Sequence, residues 1–378
     1  MTLSNSSRPT LRRLLLVTAG LLSLAACATH EVDYQGEGAG VVGSGARVQA
    51  QLETPSVGTA GQDAADDPAV WASAMPVTIQ GVSTPGFVAG TDKKAGLYIY
   101  GLDGAILQFL PQGLLNNVDV AQGLTVAGHS MVALGASDRS PATTGVTLFL
   151  FDPAATDPDN AVRHWGHVAT DVVEPYGFCF AQVGDQLQAI LVGHEGEVRQ
   201  FALSAAPDGK PAARELRRFE IGSISEGCAA DPETGALYIT EENVGLWRYG
   251  LDPASGDTRT LIQPIAPDRL VADAEGLTII ADGSARYLIG SSQGDSTFPV
   301  WRVDGQAPVW IGRFVVTDGT PTGGVDAITG TDGLDALGGP VGTAFPQGVV
   351  VIQDDINDAG TQNFKYVDWR VIRTALGL

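Results

Sequence analysis

The chain has 378 residues, with 48 glycines, 21 prolines and 44% hydrophobic residues, which is the composition of a globular protein and excludes a disordered or collagen-like chain. Its 22 lysine and arginine residues and 43 aspartate and glutamate residues give a net charge of −21. This charge excludes a nucleic acid as the partner, because a phosphate backbone is bound by a basic surface.

The first 26 residues have the pattern of an export signal. Arg8, Arg12 and Arg13 precede the apolar run Leu14 to Leu24, which is too short to span a bilayer. The run ends in Leu24-Ala25-Ala26-Cys27, which resembles the lipobox of bacterial lipoproteins. We therefore predict a lipoprotein-type signal at residues 1–26, lipidation of Cys27, and a location on the outer membrane reached only through the lipid. Ordinary cleavage at the same small residues, giving a periplasmic or secreted protein, is the alternative.

Residues 27–61 are rich in glycine and serine, with one strand-like patch from Arg47 to Leu52. We predict a flexible tether and a closing strand there, followed by one domain over residues 62–378. From residue 62 onward, short apolar runs alternate with Gly, Asp, Asn and Pro, and helical periodicity is nearly absent until the last dozen residues. This pattern predicts an all-β fold.

Similar turn-to-strand junctions recur six times in this domain. Their anchor positions are residues 67, 117, 177, 227, 276 and 326, a period near fifty residues. Such a period is typical of one four-stranded blade, so the repeat predicts a six-bladed β-propeller whose last blade is completed by the strand near residues 47–52. A pair of β-sandwiches with coincidental spacing is the alternative.

A polar hairpin loop follows each junction. Because strands within a blade are antiparallel, each junction and the loop between strands two and three lie at the same end of the ring. We therefore predict one crown of polar side chains. Its acids are Asp66, Asp67, Asp119, Glu226, Glu241, Glu242, Asp273, Glu275, Asp326, Asp332, Asp354 and Asp355, and its bases are Lys93, Lys94, Arg139 and His194.

The crown indicates metal chemistry on a phosphorylated substrate. Crowded carboxylates cannot all stay ionised without cations, and oxygen ligands without a His or Cys cluster favour Ca²⁺ over Zn²⁺. The bases lie on the loops of three consecutive blades, and Lys and Arg suit phosphate oxygens. We predict hydrolysis of a phosphomonoester by metal-activated water. Each acid taken alone could instead be a solvated turn residue.

At these positions the sequence resembles the β-propeller phytases, the alkaline, calcium-dependent phytases of bacteria, over roughly residues 62–372. Ten segments carry the resemblance in order: Asp66-Asp67-Pro68-Ala69-Val70-Trp71, Asp92-Lys93-Lys94-Ala95-Gly96-Leu97, Leu115-Asn116-Asn117-Val118-Asp119, Tyr176-Gly177-Phe178, Glu226-Gly227, Glu241-Glu242, Asp273-Ala274-Glu275-Gly276-Leu277, Ser291-Ser292-Gln293-Gly294, Thr331-Asp332-Gly333-Leu334-Asp335 and Gln362-Asn363-Phe364-Lys365.

The resemblance implies a monomeric hydrolase of the 3-phytase type that acts on phytate as its calcium complex, with several structural and catalytic Ca²⁺ ions. It implies that the catalytic ions or their water are held by Tyr176, Glu226, Glu241, Asp273, Glu275 and Asp326. Phosphates would be bound by Lys93, Lys94, Arg139 and His194, with Asp332 near a second phosphate. Further metal ligands would be Asp66, Asp67, Asn117, Gln353 and Asp354.

Three points stay open in the sequence. His194 stands where members of the family commonly have Lys, so we hypothesise activity at lower pH than in Lys-bearing relatives.

Two competing functions remain. One is a calcium-dependent lactonase or phosphotriesterase on a six-bladed propeller, and the other is a non-catalytic propeller that binds envelope proteins. Cys179 and Cys228 are the two cysteines left after signal cleavage, and they form either a disulfide or two buried thiols.

Overall fold

The short apolar runs form strands in six separate sheets, which are the blades of the predicted propeller. The structure is a computed structural model that describes residues 1–2, 42–319, 324–358 and 361–378. The predicted signal, beyond its first two residues, and Cys27 lie outside the described residues. Two short strands come first in the described chain, β1 (Ala46–Val48) and β2 (Leu52–Glu53). The all-β, six-bladed fold is confirmed.

The first three blades follow one another along the chain as four-stranded antiparallel sheets. Blade one contains β3 (Ala65–Ile79), β4 (Val82–Asp92), β5 (Gly96–Gly101) and β6 (Ile106–Leu110). Blade two contains β7 (Leu115–Val126), β8 (His129–Asp138), β9 (Gly145–Phe151) and β10 (Arg163–Ala169). Blade three contains β11 (Pro175–Val183), β12 (Gln186–Gly193), β13 (Glu197–Ala205) and β14 (Pro211–Glu220).

The last three blades complete the ring. Blade four contains β15 (Ser225–Asp231), β16 (Ala236–Glu241), β17 (Gly245–Gly250) and β18 (Arg259–Pro264). Blade five contains β19 (Ala274–Asp282), β20 (Ala285–Ser292), β21 (Phe298–Arg302) and β22 (Val309–Val316). Blade six contains β23 (Leu334–Gly338), β24 (Gly348–Asp354) and β25 (Asn363–Asp368), and helix α1 (Trp369–Leu376) follows it. Two 3₁₀ turns, Pro253–Ser255 and Gln293–Asp295, lie in blades four and five.

The closing strand differs from the single strand predicted near residues 47–52. Strand β2 pairs antiparallel with β25 and adds the fourth strand of blade six. Strand β1 instead pairs parallel with β22 and adds a fifth strand to blade five. The N-terminal segment therefore joins two blades rather than one.

Apolar side chains fill the spaces between neighbouring blades. Trp71 and Phe87 of blade one pack against Phe151 of blade two, with ring centroids 5.8 Å apart in both contacts to Phe151. All three side chains are buried. Burial of side chains of this size contributes about 1.5–3 kcal/mol each, so the blades are joined mainly by the hydrophobic effect.

Glycines allow the innermost strands to touch at the crown end. A Cβ added to Gly177 of blade three would lie 1.9 Å from the backbone oxygen of Glu226 in blade four. A Cβ on Gly227 would likewise lie 2.3 Å from the backbone oxygen of Glu275, and one on Gly333 would lie 2.6 Å from the Cα atom of Asp67 in blade one. Because side chains would hold these backbones apart, the glycines that follow Tyr176, Glu226 and Asp332 let these side chains of different blades come together.

The sixth predicted junction, at Asp326, is wrong. The innermost strand of blade six is β23, and Gly333 occupies the place equivalent to Gly276, because its backbone packs on Asp67. The described residues between β22 and β23, 317–319 and 324–333, contain no strand. This irregular segment lengthens the repeat and carries Asp326 away from the junction.

The two cysteines that the sequence left open form a disulfide. Cys179 of β11 and Cys228 of β15 are bonded, and their Cα atoms are 5.5 Å apart, which lies within the usual range. Among the described residues, no helix has the length and apolar character needed to cross a membrane.

Candidate metal centre

Acids from opposite blades meet at the mouth of the ring. Asn116 of blade two donates from its side-chain nitrogen to Glu226 Oε1 of blade four at 2.7 Å and to Asp66 Oδ1 of blade one at 3.3 Å. All three side chains are buried. The amide of Asn116 thus lies between two carboxylates that would otherwise face each other.

Three buried glutamates form the densest group of possible metal ligands in the described residues. One carboxylate oxygen from each of Glu226, Glu242 and Glu275 lies within 4.8 Å of the others. Glu242 Oε1 and Glu275 Oε2 are buried and have no hydrogen-bond partner among the described groups. Buried acceptors without donors are costly, and an oxygen-only ligand set suits a hard cation such as Ca²⁺. These residues therefore fit the predicted metal.

The electrostatics of this glutamate cluster lead to the same conclusion. Burial, and to a smaller extent the charge of Asp66, raises the pKa of Glu226 to about 7. Burial, followed by the charges of Glu226 and Asp273, raises the pKa of Glu242 to about 8. The pKa of Glu275 is raised well above its ordinary value by burial and by both other glutamates. The cluster therefore keeps protons near neutral pH that a bound cation would displace.

Tyr176 and Asn117 border the glutamate cluster. The Tyr176 hydroxyl hydrogen-bonds to Glu226, and its ring packs edge-on against His194 with centroids 5.1 Å apart. The Asn117 amide lies 2.8 Å from Glu226 Oε1 and 2.7 Å from the backbone oxygen of Tyr176. With its nitrogen turned toward these atoms, the amide donates to both.

Glu241 and Glu242, although consecutive, have different surroundings. Glu241, the predicted ligand, accepts from Ser223 Oγ at 2.6 Å and from Trp247 Nε1 at 2.8 Å. Glu242, which the sequence placed in the crown but not among the ligands, joins the glutamate cluster. Strand β16 ends at Glu241 and Glu242 is the first residue of the turn that follows, so the two side chains have different directions and different partners.

Lys93 is a counter-ion within the crown. Its Nζ lies 2.8 Å from Asp63 and 2.9 Å from both Asp66 and Asp332. Burial alone would lower the pKa of Lys93, but the three carboxylates outweigh it and hold the pKa well above its usual value. Since an ammonium has three donors, the predicted contact of Lys93 with phosphate is not available in this arrangement.

Asp332 belongs to the same group as Lys93. It also accepts from Gln293 Nε2 at 2.6 Å, while its backbone nitrogen donates to Gln353 Oε1 at 2.8 Å. The predicted ligand Gln353 therefore supports Asp332 through a hydrogen bond to its backbone.

The remaining predicted bases lie on the loops of blades one to three. Lys94 is half-buried, and its charge contributes to lowering the pKa of Asp63. Arg139 lies 3.6 Å from Glu174, and His194 Nδ1 lies 2.8 Å from Glu195. Arg139 and His194 are partly exposed. Arg139 and His194 are therefore accessible to an anionic ligand at this end of the ring.

Asp326 and Asp354 form a second acidic group around Lys365. Lys365 is fully buried, and its Nζ lies 2.5 Å from Asp326 and 2.6 Å from Asp354. It also donates to the backbone oxygen of Ala327 at 2.9 Å. The structure therefore does not bring Asp326 into the glutamate cluster, because the irregular segment before β23 directs it toward β25. Asp273, by contrast, lies close enough to Glu242 to raise its pKa.

Three further acids join the innermost strands around a cavity of about 160 Å³ on the ring axis. Asp67 accepts from Val118 N at 3.0 Å, Asp119 from Phe180 N at 2.7 Å, and Asp335 from Val70 N at 2.7 Å. Each bond crosses to the following blade. Burial raises the pKa of Asp119 to about 7, with Asp335 adding to the effect.

Comparison with known proteins gives one family and distant structural likenesses. The family model described as Phytase matches residues 12–378. The 3-phytase of Bacillus subtilis (strain 168) is 33% identical over 344 residues, which cover 88% of this chain and 86% of that protein. A structural genomics protein of unknown function from Bacteroides thetaiotaomicron VPI-5482 is 12% identical, with a TM-score of 0.48, and the match covers 86% of this chain and 75% of that chain. The GH43_1 enzyme from Xanthomonas citri complexed with xylose is 12% identical, with a TM-score of 0.42, and the match covers 84% of this chain and 90% of that chain.

Proposed function

The chain belongs to the phytase family of hydrolases, and from this premise we propose that it hydrolyses the phosphomonoesters of phytate with the help of calcium held in the crown. The observation that carries the proposal is the buried cluster of Glu226, Glu242 and Glu275, whose orphaned oxygens lack donors in the described chain. The partly exposed bases at the rim suit the phosphate groups of the substrate.

Within this proposal, Glu226, Glu242 and Glu275 hold the ion, and Tyr176, Asn117 and Asp273 border it. Calcium bound there would neutralise the phosphate and lower the pKa of a bound water for attack on phosphorus. Arg139, Lys94 and His194 contact phosphate oxygens from the rim. Lys93 contacts phosphate only if a cation binds one of its three carboxylate partners and so releases one donor of the ammonium group.

The test measures phosphate release from phytate by the chelator-treated protein, with and without added Ca²⁺. We expect release only with the ion, and no turnover of a lactone under the same conditions. Equal release with and without calcium would contradict the metal role, and turnover of the lactone alone would contradict the substrate.

We also propose that the chain is exported and lipidated at Cys27. The support is the lipobox-like segment at residues 24–27 and its preceding apolar run. Radiolabelled palmitate should be incorporated into the native protein and not into Cys27→Ala. Equal labelling of the two would contradict the anchor.

A further inference from the structure

The Cys179–Cys228 disulfide lies directly below the glutamate cluster. Cys179 is three residues after Tyr176 on β11, and Cys228 is two residues after Glu226 on β15. Both cysteines are buried and border the axial cavity. The bond therefore connects the two strands that carry Tyr176 and Glu226 to the mouth of the ring.

These two strands have no ladder of backbone hydrogen bonds between them. Strands β11 and β15 belong to different sheets, and each pairs only within its own blade. They meet at the crown end through the contact of Gly177 with the backbone of Glu226. Around the cysteines, Ile190 and Val192 of β12 and Ile239 of β16 belong to the same apolar core and join the two blades. The disulfide is the only covalent bond between these blades outside the chain connection in the described residues.

The side chains above the disulfide come from three blades. Glu226 and Glu242 belong to blade four, Glu275 belongs to blade five, and Tyr176 of blade three borders this cluster next to the contact of Gly177 with Glu226. Movement of blade four away from blade three would separate Glu226 from Tyr176 and would change the spacing of the oxygens that a cation needs. A crosslink two and three residues below the ligands resists that movement.

We propose that the Cys179–Cys228 disulfide positions Glu226 and Tyr176 for cation binding, so that its removal weakens the glutamate-cluster site and not only the fold. The proposal rests on the calcium site of the proposed function. Groups that position metal ligands change metal affinity by roughly 10- to 100-fold when they are removed, and we expect a loss of that size.

The experiment titrates Ca²⁺ alone into chelator-treated protein by calorimetry. The binding step that disappears in Glu242→Gln identifies the glutamate cluster. We expect the Kd of this step to rise at least tenfold in Cys179→Ser/Cys228→Ser, while the rate of phosphate release at saturating Ca²⁺ returns to near the native rate. Ile190→Val is the matched control, because it removes one methylene from the same core and leaves the crosslink intact.

The outcomes separate the two proposals. An unchanged Kd in the double serine variant, or an equal rise in Ile190→Val, overturns the positioning role, as does the finding of two free thiols in the unfolded native protein. A native protein that binds no calcium overturns the proposed calcium site and this inference with it. If the serine variant does not fold, Cys179→Ala/Cys228→Ala and native protein reduced and alkylated provide the same comparison.

Discussion

Glu242 and Glu241 have opposite surroundings, and this difference should appear in their substitutions. We expect Glu242→Gln to lower kcat/KM for phytate by about a hundredfold or more, because it removes a ligand from the glutamate cluster. Glu241→Gln is the matched control, since its side chain is held by Ser223 and Trp247 and should keep activity within about tenfold. Phosphate release at fixed Ca²⁺ measures both, and equal losses would contradict the assignment.

Lys93 should stabilise the crown by neutralising three acids. Lys93→Met leaves Asp63, Asp66 and Asp332 without their shared cation, and we expect a loss of about 3–5 kcal/mol in the free energy of unfolding. Added Ca²⁺ should restore part of this loss, because a divalent ion can replace the ammonium. Lys94→Met, at a half-buried position, should change stability less. Urea unfolding with and without Ca²⁺ is the measurement.

A contrary result for Lys93 is easy to recognise. If Lys93→Met is as stable as the native protein in the absence of calcium, the three ion pairs contribute little to folding. If Ca²⁺ stabilises the native protein and Lys93→Met equally, the ion does not take the place of the ammonium.

At the scale of elements, Asp138 organises the hairpin that carries Arg139 between β8 and β9. It is buried and accepts from Ser140 N at 2.8 Å, Thr143 Oγ1 at 2.6 Å and Thr147 Oγ1 at 2.7 Å. Burial alone would raise the pKa of Asp138, but these hydrogen bonds outweigh it and lower the pKa below its usual value. The stability contributed by a carboxyl of lowered pKa is present above its unfolded pKa and is lost as the pH falls through its folded pKa.

We therefore expect Asp138→Asn to cost about 1–3 kcal/mol at neutral pH, with the difference from the native protein shrinking as the pH falls below about 4. Urea unfolding at pH 7, 5, 4 and 3 measures this difference. A difference that stays constant over the series would show that the charge of Asp138 does not contribute.

The period of the strands predicted the six blades, but it did not predict which side chains at the strand ends would face the metal centre. The acid-glycine pairs at Glu226-Gly227 and Glu275-Gly276 are local features, so their junctions were readable from the sequence. Asp326 was misplaced because an irregular segment precedes β23, and only strand pairing reveals which residue begins a strand. The choice between Glu241 and Glu242 depends on where β16 ends, which a shift of one residue reverses.

The partners of Lys93 depend on still longer contacts. Asp63 precedes the first repeat and Asp332 precedes the last innermost strand, so the group forms only when the ring is closed. A lysine in the crown predicted a contact with an anion. In the fold, the anions that Lys93 contacts are carboxylates of the chain itself.

At the scale of the whole molecule, the segment with β1 and β2 should determine the stability of the ring. It pairs with β22 of blade five and β25 of blade six, and Arg313 donates to the backbone oxygen of Ser44 at 2.6 Å. We expect deletion of residues 42–53 to lower the melting temperature and to expose the amides of β25 to hydrogen exchange. Unchanged protection of β25 would contradict this role.

The position of this segment in the chain has a consequence for synthesis. Strands β1 and β2 leave the ribosome before every blade, whereas their partners β22 and β25 lie in the last two blades to be made. The nascent chain must therefore keep these unpaired edges soluble while more than 250 residues are made, and loop closure over that separation is slow. A chaperone that shields the leading strands during translation should raise the yield of folded protein more than one that acts after release.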